Sequence, residues 1–177
     1  APKNLIQTLP SPINKDLTKE LMKQVDLVIV TGSQNNVREA YSSGTPAIGV
    51  GQGNVTVIVD ETCDLKDAAK KIKLSKTFDY ATSCSSENNL VVIKKVYDEF
   101  IKLLKLEDGI LLNADQKKSL QNILWINGKL NKNILAKSAF TLCKKIDLKN
   151  DHTEKIKFLI VEEQGIGTNY PFSGEKL

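Results

Sequence analysis

The sequence predicts an α/β protein, and three observations carry that prediction. Short continuous apolar runs, Asp26-Leu27-Val28-Ile29-Val30 and Pro46-Ala47-Ile48-Gly49-Val50 among them, have the length and composition of buried parallel strands. Segments with apolar residues at helical spacing alternate with those runs. The connections are a few residues long, and several turn on glycine. Strand, helix, strand, helix, strand in that order reads as part of a doubly wound sheet.

Each element has its own reason. Leu5-Ile6-Gln7-Thr8-Leu9 reads as a short strand ended by Pro10 and Pro12. Asp16–Met22 reads as a helix with Leu17, Leu21 and Met22 on one face. After the Asp26–Val30 strand, Thr31-Gly32-Ser33 makes a turn into a helix with Val37, Ala40 and Tyr41 inward, ended by Ser43-Gly44. Gly49-Val50-Gly51-Gln52-Gly53-Asn54 follows the next strand; glycines this dense mark a tight turn or a close approach. Val55–Val59 is a strand, Asp60–Asp64 a turn, and Leu65–Lys76 an amphipathic helix with Ala68, Ala69, Ile72 and Ser75 inward. Leu90–Ile93 is a strand, and Val96–Leu106 a helix with Val96, Phe100, Leu103 and Leu104 inward. Gly109–Leu112 is extended, Ala114–Leu124 and Asn133–Lys144 are helices, Phe158–Val161 is a strand, and the chain from Pro171 is irregular.

With 177 residues the chain is long enough for one domain with a real core or for parts of two. The net charge of +4 comes from lysines interleaved with acids, the pattern of a solvated surface. No aromatic–basic interleaving suggests nucleic-acid binding. A mild positive field still favours anionic ligands such as nucleotide phosphates. No apolar run suits a membrane span or a signal peptide. Cys63, Cys84 and Cys143 are odd in number and far apart, which argues against a disulfide framework and a zinc site and predicts a cytoplasmic protein without a metal. The single histidine, His152, sits in a charged run and reads as a surface residue, so a Ser-His-Asp arrangement is a weak reading.

Two stretches carry chemistry. Val28-Ile29-Val30-Thr31-Gly32-Ser33 runs a strand through a glycine turn into a helix N-terminus, whose free N–H groups and dipole suit a phosphate. A plain βα turn would look the same. Phe78-Asp79-Tyr80-Ala81-Thr82-Ser83-Cys84-Ser85-Ser86-Glu87-Asn88 puts a cysteine among small polar residues, so that its sulfur and its N–H are accessible. A buried structural cysteine is the ordinary alternative.

Taken in order, Thr31-Gly32-Ser33, Gly49-Val50-Gly51-Gln52-Gly53-Asn54 and Ser75-Lys76-Thr77-Phe78-Asp79 leading to Cys84 resemble the aldehyde dehydrogenase superfamily, and more closely its CoA-acylating branch. Arg38–Gly51, Ser86-Glu87, Tyr170-Pro171-Phe172 and Glu175-Lys176-Leu177 match that branch too. The resemblance covers essentially the whole chain and only part of the much longer family members. It implies a fragment: residues 1–53 as the C-terminal part of a Rossmann-like NAD(P)-binding domain, and residues 54–177 as most of an α/β catalytic domain. A fragment without the first nucleotide-binding strands and the family's later glycine-histidine-threonine stretch is expected to be inactive alone.

The resemblance also implies roles. Cys84 falls at the nucleophile, which forms a thiohemiacetal with a small aldehyde and then a thioester. NAD or NADP takes the hydride, and coenzyme A is the co-substrate. The Cys84 N–H helps to hold the oxyanion. Thr31, Gly32 and Ser33 match the turn at the cofactor pyrophosphate, and Glu175 the glutamate on the nicotinamide ribose. Val50, 34 positions before Cys84, stands in the register of the glutamate that activates water in hydrolytic members. Valine cannot act as a base, so the thioester would wait for a thiol. Members of the family dimerise or assemble further, and a homo-oligomer is expected of the full-length protein.

There are departures. Tyr80-Ala81 replaces the Asn-Gly of many acylating members, and Thr82-Ser83-Cys84-Ser85-Ser86 is richer in hydroxyls than their loop. The serine-rich form is associated with anionic aldehydes such as sulfoacetaldehyde. Glu87 reads as a structural residue that caps the start of the next strand. Two rivals remain: a hydrolytic enzyme with another base, and a non-catalytic module.

Overall fold

A computed structural model describes residues 2–51, 53–148 and 153–175, so His152, Lys176 and Leu177 lie outside the described residues. The chain divides into two compact units, Ala1–Gly53 and Asn54–Leu177.

In the first unit, α1 (Lys15–Lys23) starts at Asn14, whose side chain accepts from the Leu17 N–H at 2.9 Å. Strand β1 (Val28–Thr31) lies parallel to β2 (Ala47–Val50), in the register Val28 to Ala47 through Thr31 to Val50. Between them α2 (Gln34–Tyr41) buries Val37 and Ala40. The helix sits close to β2: a Cβ at Gly49 would lie 2.7 Å from Val37 Cγ1. Tyr41, expected inside, is exposed, and its hydroxyl accepts from the Gly49 N–H at 3.0 Å. The ring lies against Gly49 and keeps its polar tip on the backbone. Leu21 is likewise exposed while Leu17 and Met22 are half-buried. The strand expected at Leu5–Leu9 does not form: among the described residues no strand pairs with it, and Leu5 and Ile6 are exposed.

In the second unit, β3 (Thr56–Val59) and β4 (Asn89–Val92) are parallel and joined through α3 (Leu65–Thr77). Helix α4 (Lys94–Leu106) follows, then β5 (Gly109–Leu111), which pairs in parallel with β8 (Phe158–Ile160). Between β5 and β8 the chain forms α5 (Ala114–Leu124), a hairpin of β6 (Trp125–Ile126) and β7 (Lys129–Leu130), and α6 (Ala139–Lys145). The strands form separate pairs rather than one continuous sheet. One apolar cluster joins β3, α3, α4 and β8 through Val59, Ile72, Phe100, Leu104 and Phe158. A second gathers Leu112, Leu120, Leu124, Ile134, Cys143 and Phe172. Ion pairs from Lys73 to Glu107 at 3.1 Å and Asp108 at 3.0 Å link α3 to the end of α4. The helix expected over Asn133–Lys144 is shorter. Ala136 takes φ +55°, which breaks the first half, and Ser138 caps the helix that remains.

Candidate active site

Helix α3 is well begun and well ended. Asp64 caps it by accepting from the Lys66 and Asp67 N–H groups, both at 3.0 Å. At its other end the Thr77 hydroxyl donates back to the Lys73 carbonyl at 2.8 Å. The chain then arches. Asp79, Tyr80 and Ala81 take φ of +47°, +53° and +64°, a left-handed run without a glycine. Thr82 closes the arch, its hydroxyl donating to Asp79 Oδ2 at 2.6 Å and to the Asp79 carbonyl at 2.8 Å. Cys84 follows, exposed as expected. Its N–H donates no hydrogen bond among the described residues. Ser83 and Ser85 flank it with their hydroxyl oxygens 2.8 Å apart. Ser86, only 1% exposed, turns the loop inward and donates to the Ser83 carbonyl from both its N–H and its hydroxyl.

The other thiols differ. Cys63 is exposed in its turn, with Sγ 3.3 Å from the Asp60 carbonyl. Cys143 is buried in the second cluster, and that burial pushes its thiol pKa up.

Two asparagines that were not singled out in the sequence tie the exit of the loop to the segment before Glu175. Asn89, the first residue of β4, donates from Nδ2 to Asn54 Oδ1 at 2.7 Å and to the Ser173 carbonyl at 3.0 Å. Asn54 Nδ2 donates to the same carbonyl at 2.9 Å. The Ser173 hydroxyl donates to the Tyr170 carbonyl at 2.7 Å and accepts from the Gly167 N–H at 3.1 Å. Glu175, half-buried, is two residues further on. The signal in the sequence was an asparagine at the first position of β4, where asparagine is disfavoured unless its side chain is occupied, and another two residues before β3.

The start of β4 is not capped by Glu87, as had been expected. The Asn88 and Asn89 N–H groups donate instead to the Val55 carbonyl at 2.9 and 3.1 Å. Glu87 is half-buried, and its Oε2 is buried without a hydrogen-bond partner. It lines a groove of about 1040 Å³ with Lys76, Asn88, Tyr97 and Glu162. Desolvation pushes the Lys76 ammonium below its usual pKa, and the Glu87 charge acts against that shift. Farther along the groove, the Tyr97 hydroxyl donates to Glu162; burial and that carboxylate push its pKa up to about 12.

In the first unit the structure brings the other sequence-predicted residues together. Thr31 ends β1 directly opposite Val50 in the ladder. Gly32 takes φ +137° and donates to the Val50 carbonyl at 3.3 Å. Ser33 is the N-cap of α2, accepting from the Asn36 N–H at 3.4 Å. The Val50 side chain is 60% exposed. These residues sit at the carboxyl ends of parallel strands, where open α/β sheets receive ligands. A cavity of about 590 Å³ lies alongside, lined by Asn14, Lys15, Thr18, Met22, Asn36 and Arg38 among others. The donor set is right for an anion: a bare glycine, a hydroxyl and the open first turn of a helix. Among the described residues no helix is long and apolar enough to cross a membrane.

The chain is similar to known proteins. The chain is 49% identical over 176 residues to a sulfoacetaldehyde dehydrogenase (acylating) of Cupriavidus necator, an alignment covering 99% of this chain and 36% of the relative. It is 38% identical to the bifunctional aldehyde-alcohol dehydrogenase AdhE of Escherichia coli, over all of this chain and 20% of that one. The crystal structure of an acetylating aldehyde dehydrogenase from Geobacillus thermoglucosidasius superposes with a TM-score of 0.84 at 36% identity, over 90% of this chain and 35% of that one. The chain thus spans about a third of the first and last of these relatives and a fifth of AdhE. Residues 1–107, more than half of the chain, match the aldehyde dehydrogenase family, and the chain belongs to that family.

Proposed function

We propose that the chain carries the thiol and part of the dinucleotide site of a CoA-acylating aldehyde dehydrogenase, which converts an aldehyde to an acyl-CoA through a thioester on Cys84. The first unit would belong to the nucleotide domain and the second to the catalytic domain. The protein would work in the cytoplasm as a homo-oligomer. The observation that carries the reading is the exposed Cys84 beside its own unengaged N–H.

The chemistry follows from the residues. The Cys84 thiolate adds to the aldehyde carbon, a C–S bond forms, and the carbonyl oxygen becomes an oxyanion within reach of the Cys84 N–H. A bound nicotinamide dinucleotide supplies the acceptor for the hydride that leaves that carbon. Thr31, Gly32 and Ser33 would hold its pyrophosphate, the cavity beside α1 and α2 its adenosine half, and Glu175 its nicotinamide ribose. The thiolate of coenzyme A then attacks the thioester carbon, forms acyl-CoA and expels the Cys84 thiolate. Val50 offers no lone pair to activate water, which favours this route over hydrolysis. The paired hydroxyls of Ser83 and Ser85, and the similarity to a sulfoacetaldehyde dehydrogenase, favour an aldehyde with an anionic group.

Thiol chemistry on the full-length protein tests the reading. Mass spectrometry after incubation with an acyl-CoA should find the acyl group on Cys84 and not on Cys63 or Cys143, and Cys84→Ser should abolish it. Equal labelling of Cys84 and Cys63 would favour a non-catalytic module. Iodoacetate should modify Cys84, relative to Cys63, faster than iodoacetamide does; the opposite order would remove the anionic-substrate part of the proposal.

A further inference from the structure

The Ser173 carbonyl is gripped by two carboxamides. Asn89 Nδ2 donates to it at 3.0 Å and Asn54 Nδ2 at 2.9 Å, and Asn89 Nδ2 also donates to Asn54 Oδ1 at 2.7 Å. The three groups close a triangle. A carboxamide suits it, because one end donates twice while the other accepts. Turning either amide over would set like atoms against each other, so the triangle fixes both orientations.

Chain position gives the triangle its meaning. Asn89 opens β4, five residues after Cys84, and stands opposite Thr56 of β3. Asn54 lies two residues before β3, and Ser173 two residues before Glu175. The segment leading to Glu175 holds a single helical turn, Pro171–Ser173. Its other side is seated by Phe172, which is 3% exposed and packs edge-on against Trp125 with ring centroids 4.9 Å apart. Phe172 therefore anchors the segment to the second apolar cluster, and the asparagines anchor it to the strands beside the Cys84 loop. Satisfying a buried carbonyl does not explain the triangle. Asn54 is exposed, and Asn89 and Ser173 are half-buried, so water would serve that carbonyl as well. What water would not do is fix its place.

We propose that Asn54 and Asn89 are positioning residues for hydride transfer: they hold the segment that carries Glu175 in register with the strand that leads from Cys84. The inference deepens the function proposed above and rests on it. Hydride leaves the carbon bonded to Cys84 Sγ for a nicotinamide whose ribose Glu175 would hold, so the thiol and the carboxylate must keep their spacing. Acyl exchange between coenzyme A and Cys84 has no step at Glu175 and needs no such register.

The full-length protein tests this through its two half-reactions. The first is NAD(P)H formation in a single turnover with sulfoacetaldehyde, or with acetaldehyde where that reacts faster. The second is acetylation of Cys84 by acetyl-CoA. Asn89→Asp keeps the shape and removes the donor; it should slow hydride transfer about tenfold and leave acetylation within about twofold. Asn54→Asp keeps the acceptor for Asn89 and loses one bond to Ser173; it should slow hydride transfer about threefold. Hydride transfer at the unmodified rate in both variants would overturn the proposal. So would an equal fall in the two half-reactions, which marks general damage. The buried Cys143 reports folding through its protection from iodoacetamide. If Asn89→Asp exposes it, Asn54→Asp, at an exposed position outside the strands, decides alone. Amide exchange separates the clamp from the activity. In Asn89→Asp the peptide over residues 167–175 should exchange about fivefold faster, with β4 unchanged. Unchanged exchange there refutes the clamp. An unmodified protein that neither forms NAD(P)H nor acetylates Cys84 would refute the proposed function, and the exchange result would still decide whether the asparagines hold the segment.

Discussion

The two turns that carry chemistry are built in opposite ways. Between β1 and α2, the one unusual backbone angle falls on a glycine, Gly32 at φ +137°, and the next residue is a serine that caps the helix. Between α3 and β4, the unusual angles fall on Asp79, Tyr80 and Ala81, and no glycine is present. In the first turn residue type and conformation agree, so the turn is its own support. In the second they disagree, so the surroundings must hold the shape. Disagreement of this kind concentrates at functional sites.

Replacing Gly32 breaks the first side of this comparison most severely. Among the described residues a Cβ there would meet only Asn36 Nδ2, at 3.6 Å, so there is no crowding to relieve. The cost of Gly32→Ala is therefore that of the backbone angle, about 2 kcal/mol. The first unit buries few residues, among them Val28, Val37 and Ala40, and has little stability to spare. Amide exchange should show β1 losing protection in the variant. Unchanged protection would mean that the turn does not need its glycine.

Ser33→Ala tests the same turn more gently. The Ser33 hydroxyl is 3.4 Å from the Asn36 nitrogen, at the long end for a cap. The loss should be about 0.5 to 1 kcal/mol, read as faster exchange in the first turn of α2. A larger loss would mean that the cap is tighter in solution.

The same contrast explains what the sequence could tell. The parallel pairs and the amphipathic helices follow from apolar runs and spacing, and α5 lies at Ala114–Leu124 as the spacing predicts. The hairpin of β6 and β7 was also legible. Asn127-Gly128 is a two-residue turn signal, and both residues take positive φ, but the flanking strands are too short to draw the eye. Leu5–Leu9 failed for the reverse reason: a strand-like composition is no strand without a neighbour. At the site, Cys84 and Thr31-Gly32-Ser33 could be singled out because single residue types announce their chemistry. The Asn54–Asn89–Ser173 network could not, because it depends on residues far apart in sequence that meet only in the fold.

The smallest expected effect has the opposite sign and bears on the second turn. Tyr80 holds φ +53° with its side chain 58% exposed, so removing the ring sacrifices little burial. Asparagine tolerates the left-handed region, and Tyr80→Asn should stabilise the second unit by about 0.5 kcal/mol. The single tryptophan, Trp125, lies in that unit, and its fluorescence during thermal unfolding should report a midpoint about 1 to 2 °C higher. Ala81→Gly is the control. Its backbone would relax by about 1 kcal/mol, but the Ala81 methyl is only 8% exposed. Lost burial of about 0.8 kcal/mol and the added freedom of the unfolded chain should cancel the gain. A rise for Tyr80→Asn with none for Ala81→Gly locates the strain in the backbone of the arch. A fall for Tyr80→Asn would mean that the left-handed run costs nothing, and the difference between the two turns would then be one of residue type alone.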